Sequence, residues 1–223
     1  HVLSDKPATV SLAQALRLRQ QVRETGLLYG LTHTYNGYPM IKEARQRIHA
    51  GELGTIRKIM VEYCQGWLSA REEDAGNKQA QWRVDPETSG ISCCMADIGV
   101  HAANLAEYVS GLQITELCAD LSALVEGRQL DDDGSILLRF SNGARGVLTA
   151  SQVCTGEENA LSIKVYGDKG GLQWKHQEAN TLWLKWPGRP TEMLRTGAAC
   201  LGAGATANTR IPMGHPEGYL EAF

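Results

Sequence analysis

The chain has 223 residues, of which 43% are hydrophobic and 21% charged, and its 22 basic and 25 acidic residues leave a net charge of -3. These values are typical of a globular protein with enough chain for one large domain or one and a half ordinary ones. They provide no basic stripe for nucleic acid, and no apolar run is long enough to cross a membrane, so we expect neither as a partner.

No signal peptide opens the chain, and the six cysteines are scattered without a C-x-x-C pair. Cysteines in this arrangement are typically reduced, buried and apolar, so we expect a cytoplasmic protein. The neighbours Cys93 and Cys94 cannot jointly form an ordinary zinc clamp, and we expect no metal site.

The first part of the chain predicts a strand, a helix and a second strand. The strand from Val2 ends at Asp5-Lys6-Pro7, where the Lys6–Pro7 bond could be cis. A helix is predicted from Ser11 to Gly26, with a buried face expected to comprise Leu12, Ala15, Leu16 and Val22. The strand from Leu27 to His33 completes a βαβ unit, which cannot bury its own sheet.

Polar and aromatic residues follow this second strand. Ligands of open α/β sheets bind at the carboxyl ends of strands, so His33, Tyr35 and Asn36 could face a substrate. A plain connection with aromatic packing is the alternative. A helix is then predicted from Pro39 to Gly51, with Met40, Ala44 and Ile48 on one face.

A strand over Ile56–Tyr63 precedes a long polar loop from Ser69 to Ala80, a length typical of a lid or binding loop. Arg83, just after it, could bind an anion through its planar guanidinium. The alternative is an ion pair with Asp85 or Glu87.

The stretch from Ser89 to His101 ends in two titratable residues. If a helix begins near Met95, Asp97 and His101 share one face, and a carboxylate beside an imidazole can orient a general base. An Asp and a His four residues apart are common by chance, and the alternative is that both side chains lie on the surface without a catalytic role. The helix is expected to end at Gly111.

The remaining chain predicts mostly strands. Their short connections, with a strong hairpin turn at Asn142-Gly143, indicate an antiparallel meander with one face covered by helices and the other open to a partner subunit. The predicted strands are 116–125, 134–140, 146–152, 161–166, 171–175 and 181–185.

The segment from Thr196 to Thr209 is rich in glycine and alanine. Residues 202–207 match the G-x-G-x-x-A dinucleotide pattern by letter, but no strand precedes them and no periodic helix follows, so we reject that interpretation. His215 could reach a site or cap the final helix, and capping is favoured.

The order of these pieces resembles the glucose-fructose oxidoreductase / inositol dehydrogenase (Gfo/Idh/MocA) family, mainly its C-terminal domain. Asp5-Lys6-Pro7 resembles the family's Glu-Lys-Pro motif, and Asp97-Ile-Gly-Val-His101 its Asp-x-Gly-x-His helix start. The Trp-Arg-x-Asp-Pro-x-x-Ser-Gly lead-in spans 82–90, and Gly51-Glu-Leu-Gly54 also fits. Asn104 stands where the family has Asp, which affects the expected substrate preference.

The resemblance implies an α/β (α+β) fold. Residues 1–36 would be the C-terminal end of a Rossmann nucleotide-binding domain whose remainder is absent. Residues 37–223 would form an α/β substrate and oligomerisation domain, an open, mostly antiparallel sheet with helices on one face and a truncated C-terminal helix. The nucleotide-binding fingerprint is missing, so the sequence cannot distinguish NAD from NADP.

The resemblance also implies an NAD- or NADP-dependent oxidoreductase acting on a hydroxyl carbon of a sugar, cyclitol or related polyol. His101 would be the base, Asp97 would orient it, and Lys6 would hydrogen-bond the reacting hydroxyl. The predicted cofactor contacts are Lys6, Pro7 and Arg83, and the predicted substrate contacts are His33, Tyr35, Asn36 and Asn104.

We expect a homodimer or homotetramer formed through the open sheet, and no activity from residues 1–223 alone. Two alternatives are a non-catalytic oligomerisation scaffold and an enzyme that uses NAD for transient oxidation during elimination or glycoside cleavage.

Overall fold

The computed structural model describes residues 1–223 and begins with the predicted βαβ unit. Strand β1 (Val2–Asp5) pairs in parallel with β2 (Tyr29–Thr32), and helix α1 (Leu12–Thr25) connects them. The Ser11 side chain accepts from the Gln14 backbone N–H at the start of α1. Gly26 ends the helix at φ 62°, a left-handed conformation that glycine adopts without a steric penalty.

The burial predicted for α1 is wrong, although its ends are correct. No residue of α1 is buried, and Leu12 and Leu16 are 75% and 45% exposed. Ala15 and Val22 are half-buried. A sheet of only two strands offers this helix too little surface to cover its apolar face.

The main helical layer begins after β2. A 3-10 turn (Thr34–Gly37) leads to α2 (Pro39–His49), whose Met40, Ala44 and Ile48 are buried as predicted. A π-helical turn (Met95–Gly99) runs directly into α5 (Val100–Ser110), which ends at Gly111. The predicted helix is therefore present, with a wider first turn than expected.

One eight-stranded sheet carries this helical layer. Its order is β10-β9-β8-β7-β3-β6-β5-β4, and every neighbouring pair is antiparallel except β3 with β6. The strands are β3 (Ile56–Cys64), β4 (Ile114–Ser122), β5 (Asp133–Phe140), β6 (Arg145–Ser151), β7 (Ala160–Gly167), β8 (Gly171–Lys175), β9 (Thr181–Lys185) and β10 (Glu192–Arg195).

The meander predicted after Gly111 is present with one insertion. Strand β3, from earlier in the chain, lies between β6 and β7 and separates these consecutive strands. Local turn patterns identify hairpins but carry no information about a distant strand that enters between two hairpins. Strand β10 was not predicted.

The core lies between the helices and one face of the sheet. Along β3, Ile59, Val61 and Tyr63 are buried, whereas the intervening Met60 and Glu62 are exposed on the other face. This alternation is typical of a sheet covered on one side. The mixed α/β architecture, with a large, mostly antiparallel sheet and helices on one face, confirms the predicted fold class.

Four short helices complete the chain: α3 (Lys78–Val84), α4 (Pro86–Ser89), α6 (Ala203–Thr206) and α7 (Tyr219–Ala222). Helix α6 lies in the glycine-rich segment, where the backbone N–H groups of Gly202 and Gly204 donate to Glu43 and Gln46 on α2. No helix has both the length and the apolar character needed to span a bilayer.

Candidate active site

A polar cavity of about 580 Å³ lies between the N-terminal βαβ unit and the region built on the eight-stranded sheet. The loop after β1, the turn after β2, the end of β3, helix α3, the π turn and helix α7 all contribute to it. Its walls are formed by Asp5, Lys6, Tyr35, Tyr63, Gln65, Trp67, Asn77, Gln79, Arg83, Asp97, Ile98, His101, Asn159 and Tyr219.

Lys6 enters this cavity from the N-terminal region. It follows β1, and the Lys6–Pro7 bond is cis. The ammonium donates to the backbone carbonyl of Asp97 at 2.6 Å and to Oδ1 of the same residue at 2.8 Å. Both contacts go to a residue 91 positions away in the chain, so this pair joins the βαβ unit to the larger sheet region.

Asp97 is held in place by the π turn and by a cluster of donors. The carboxylate of Asp131 accepts from the backbone N–H groups of Cys93 and Met95 and thereby anchors the start of the turn. Besides Lys6, Asp97 accepts at Oδ2 from Arg83 Nε at 3.2 Å and from Gln152 Nε2 at 2.9 Å.

These donors determine the charge state of Asp97. Burial by itself would raise the pKa of this carboxyl, but Lys6, Arg83 and Gln152 together outweigh burial and lower the pKa below its usual value. Asp97 is therefore a carboxylate at neutral pH, placed between two cations.

His101 lies in the first turn of α5 and is 7% exposed. Its ring meets the ring of Tyr35 edge-on at 4.9 Å and that of His33 at 5.9 Å between centroids. Burial first, and then the charges of Lys6 and His33, lower the pKa of His101 to about 3. The imidazole is therefore neutral at physiological pH.

The expected orientation of His101 by Asp97 is absent. Both residues line the cavity, as predicted for a shared helical face, but their side chains form no hydrogen bond. The Asp97 carboxylate accepts instead from Lys6, Arg83 and Gln152. The ion pair of Arg83 with Asp85 or Glu87, the alternative to anion binding, is absent, and Arg83 pairs with Asp97.

The opposite wall is a network of hydroxyl and amide groups. Tyr63 OH donates to Asn159 Oδ1 at 2.6 Å, and the Tyr35 and Tyr63 hydroxyls lie 2.5 Å apart. Gln65 Nε2 also donates to Asn159 Oδ1, at 2.8 Å, while its Oε1 accepts from Trp67 Nε1. This wall presents several hydrogen-bonding groups close together, the type of surface that a molecule with many hydroxyls can bind.

Of the four predicted substrate contacts, only Tyr35 lines the cavity. Asn36 Nδ2 donates to Asn104 Oδ1 at 2.7 Å, outside the cavity lining, and His33 packs against His101. His33 Nδ1 and Asn36 Oδ1 are buried without a hydrogen-bond partner. A role of His33, Asn36 and Asn104 in binding substrate stays a prediction.

The polar loop expected to be a lid or a binding loop is held against the body of the protein. Arg128 donates to the carbonyls of Leu68 and Ala70 and pairs with Glu73 and the buried Asp132. Only the end of this loop approaches the cavity, through Asn77 and Gln79.

Sequence reasoning missed most of the polar wall. Tyr63, Gln65 and Asn159 lie at or beyond strand ends, and Tyr219 reaches the cavity from α7. Gln152 lies behind this wall, on Asp97, and also follows a strand directly. A polar residue placed just after a buried strand was an available indication for Gln65 and Gln152. His215, which could have reached the site, is exposed, and its Nδ1 lies 3.3 Å from the backbone carbonyl oxygen of Pro212.

A second cavity of about 320 Å³ shares Lys6, Arg83 and Asp97 with the first. Pro7, Val10 and Ala96 give it apolar walls, and further polar groups come from Thr9, Thr88 and Ser89. Such a mixture can hold a flat aromatic ring with a carboxamide, so the residues fit the reactive end of a nicotinamide. The chain has no glycine-rich turn between a strand and a helix that would bind a pyrophosphate. No group of three or more His, Cys, Asp or Glu side chains could hold a metal ion.

Comparison with known proteins identifies a matching family model and several relatives of this chain. Residues 41–173, more than half of the chain, match the model of the GFO/IDH/MocA C-terminal domain. The uncharacterized oxidoreductase YfiI of Bacillus subtilis is 27% identical over the whole chain, which spans 57% of that relative.

Two solved structures superpose on all of the chain. An oxidoreductase from Sinorhizobium meliloti is 42% identical with a TM-score of 0.87, and the chain covers 58% of it. An inositol dehydrogenase homolog from Azotobacter vinelandii, complexed with NADH and myo-inositol, is 32% identical with a TM-score of 0.91 and is covered to 56%. The chain thus spans little more than half the length of these relatives.

Proposed function

The chain belongs to the GFO/IDH/MocA family, and from that premise we propose that it forms the substrate side of an NAD- or NADP-dependent oxidoreductase. The substrate would be a sugar, cyclitol or related polyol, oxidised or reduced at a hydroxyl carbon. The observation that carries this proposal is the meeting of Lys6, Asp97 and His101, from two separate regions, in one polar cavity.

Lys6 would stabilise negative charge on the reacting oxygen. Two of its three N–H groups are used by Asp97, and the third is available to a ligand in the cavity. A donor held in advance where charge develops lowers the barrier, and removing such a donor commonly costs about 100- to 1,000-fold in rate. The role of Asp97 in this scheme is to hold the ammonium.

His101 would accept the hydroxyl proton. Its low pKa keeps the imidazole neutral in the resting site, and a proton arriving from the substrate would add a cation near Lys6. The Asp97 carboxylate favours that charged form by its electrostatic attraction, without a direct hydrogen bond.

NAD or NADP, when bound, would supply the hydride acceptor or donor. We propose that Lys6, Pro7 and Arg83, which border the second cavity, hold its reactive end. Residues 1–36 would be the last part of a nucleotide-binding domain, and the exposure of Leu12 and Leu16 supports a further packing surface there.

The polyol would lie against Tyr35 and the network of Tyr63, Gln65 and Asn159. Its hydroxyls would exchange hydrogen bonds with these groups, which supports a substrate with many hydroxyls over an apolar one. His33, Asn36 and Asn104 would act from behind this layer, where His33 and Asn36 have unused hydrogen-bonding atoms.

We also propose that a second copy of the protein packs on the open face of the sheet. Exposed Met60, Leu137 and Met193 lie on strands of this sheet among charged residues. Sedimentation of wild type and of a Leu137→Glu variant would test it: a smaller assembly for the variant supports the interface, and a monomeric wild type contradicts it.

The complete open reading frame that contains this chain provides the functional test. The purified protein is mixed with NAD⁺ or NADP⁺ and with a panel of inositols, alditols and aldoses, and formation of reduced nicotinamide is followed by absorbance. We expect turnover with at least one polyol and loss of turnover in His101→Asn. No turnover and no cofactor binding would overturn the oxidoreductase proposal and favour a scaffold.

A further inference from the structure

Gln152 lies behind the Lys6–Asp97 pair and has not entered the chemistry proposed above. It follows β6 directly and is completely buried, with 0% of its surface exposed. Its backbone N–H donates to the carbonyl of Asp132, and its own carbonyl accepts from the N–H of Leu68. The side chain is therefore mounted on a rigid part of the sheet region.

The amide of Gln152 has one allowed orientation. Its Nε2 group donates to Asp97 Oδ2 at 2.9 Å and lies 3.4 Å from Gln65 Oε1. Its Oε1 faces the thiol of Cys93 at 3.6 Å. Turning the amide over would place its oxygen against two acceptors, Asp97 Oδ2 and Gln65 Oε1, so the network selects the observed orientation.

Because of this contact, the two carboxylate oxygens of Asp97 have different partners. Oδ2 is taken by Gln152 and Arg83, which leaves Oδ1 for Lys6. Arg83 comes from the short helix α3 and also donates to Gln79, whereas Gln152 is fixed by the sheet. Gln152 is the more rigid of the two donors that set the rotation of the carboxylate.

The same amide connects the charged pair to the polar wall. From Gln152 the hydrogen bonds continue through Gln65 to Asn159 and on to Tyr63. The group that would polarise the substrate and the groups that would bind its hydroxyls thus share one network.

We propose that Gln152 is a positioning residue for the reaction: it holds Asp97, and through it the ammonium of Lys6, in register with the polar wall that binds the polyol. This proposal rests on the proposed function of the site. It predicts that loss of the amide affects the reacting step more than substrate binding, because Gln152 does not itself line the cavity.

Two substitutions in the complete enzyme test it. Gln152→Met keeps the size of the side chain and removes the donor, and we expect kcat to fall about 10- to 100-fold with KM changed less than about 3-fold. Gln113→Met, on an exposed turn, is the matched control and should leave both constants unchanged.

Gln152→Glu adds a readout that loss of packing would not produce. The introduced carboxyl, when protonated, could still donate to Asp97, and two adjacent carboxyls retain one proton to a higher pH than either would alone. We expect partial activity at low pH that is lost as the pH rises. Lys6, Arg83, His101, Cys93 and Tyr63 also face this pair, so the profile is read as a difference from wild type.

A measurement without turnover keeps this inference separate from the proposed function. In the 223-residue chain, labelled aspartate carboxyl carbons are titrated by NMR, and Asp97→Asn identifies the signal of Asp97. We expect a higher titration midpoint for Asp97 in Gln152→Met than in wild type. An inactive complete enzyme would overturn the proposed function. An unchanged Asp97 midpoint, or a pH-independent loss in both variants, would overturn the role of Gln152.

Discussion

Helices α1 and α2 each carry an apolar stripe beside basic residues, but only α2 is packed into a core. Helix α1 has 14 residues and buries none of them, whereas α2 has 11 residues and buries six. The difference lies in the surface each helix meets, because α1 faces two strands and α2 packs under an eight-stranded sheet. An apolar stripe predicts a helix, but its stabilisation depends on the partner that covers it.

Despite this difference, both regions contribute to the candidate site. Lys6 comes from the loosely packed βαβ unit and His101 from the well-packed helical layer. The predictions below separate what each region contributes to activity from what it contributes to stability.

The largest effect is expected on activity. Lys6→Met in the complete protein should lower kcat by about 100- to 1,000-fold, because the proposed donor to the reacting oxygen is lost. His101→Asn should lower kcat by about 100- to 10,000-fold, since it removes the proposed general base. Steady-state kinetics on the best polyol measure both. Normal turnover in either variant would remove that residue from the proposed mechanism.

The next largest effect is expected on stability, and it tests the comparison of α1 with α2 directly. Ile41→Ala on α2 deletes a fully buried side chain and should lower the free energy of unfolding by about 2–5 kcal/mol. Leu12→Ala on α1 removes an exposed side chain and should change it by less than about 0.5 kcal/mol in residues 1–223. Urea unfolding followed by circular dichroism gives both values. Equal losses would mean that α1 is packed as firmly as α2.

The buried imidazole of His101 gives the packed region an acid sensitivity. The unfolded chain takes up a proton near the ordinary histidine pKa of 6.5, whereas the folded pKa is about 3, so stability is lost as the pH falls through this window. From pH 6.5 to pH 5 the loss due to His101 should be about 2 kcal/mol. His101→Asn should remove it, with His215→Asn as the exposed control.

Urea unfolding of wild type, His101→Asn and His215→Asn at several pH values provides the comparison. Burial also lowers the pKa values of His33 and His176, so these two residues add a pH-dependent loss of stability to all three proteins. The same pH dependence in wild type and His101→Asn would show that His101 is protonated without penalty in the folded state.

The smallest expected effect is a local loss of stability in α1. Ser11→Ala removes the side-chain acceptor of the Gln14 N–H and should destabilise this helix by about 1 kcal/mol. Amide hydrogen exchange should become faster within residues 12–25 and stay unchanged in β3, because a helix with no buried residue can open without disturbing the main core. Faster exchange in both would indicate that they unfold as one unit.

Much of the fold was predictable because its determinants are local. The cap at Ser11, the stop at Gly26, the first-turn Pro39 and the hairpin at Asn142-Gly143 are short-range patterns with a direct steric or hydrogen-bonding cause. The position of β3 between β6 and β7 was not predictable in this way, because pairing across 80 or more residues leaves no trace in either segment alone.

The candidate site shows the same division between local and long-range determinants. Sequence motifs and their spacing identify Lys6, Arg83, Asp97 and His101 as candidates, and all four line one cavity. The residues that Asp97 contacts, and the wall of Tyr63, Gln65 and Asn159, come from strand ends that are distant in sequence.

The amino-acid sequence by itself determined most of the secondary structure, the family and the chemical character of the site, because these depend on residue type and spacing within short segments. Only the tertiary structure decided that Asp97 bonds to Lys6 and Arg83 instead of His101. The physical reason is competition for a carboxylate: two cations and a buried amide converge on Asp97 from separate elements, and their combined attraction exceeds that of one neutral imidazole on the same helix.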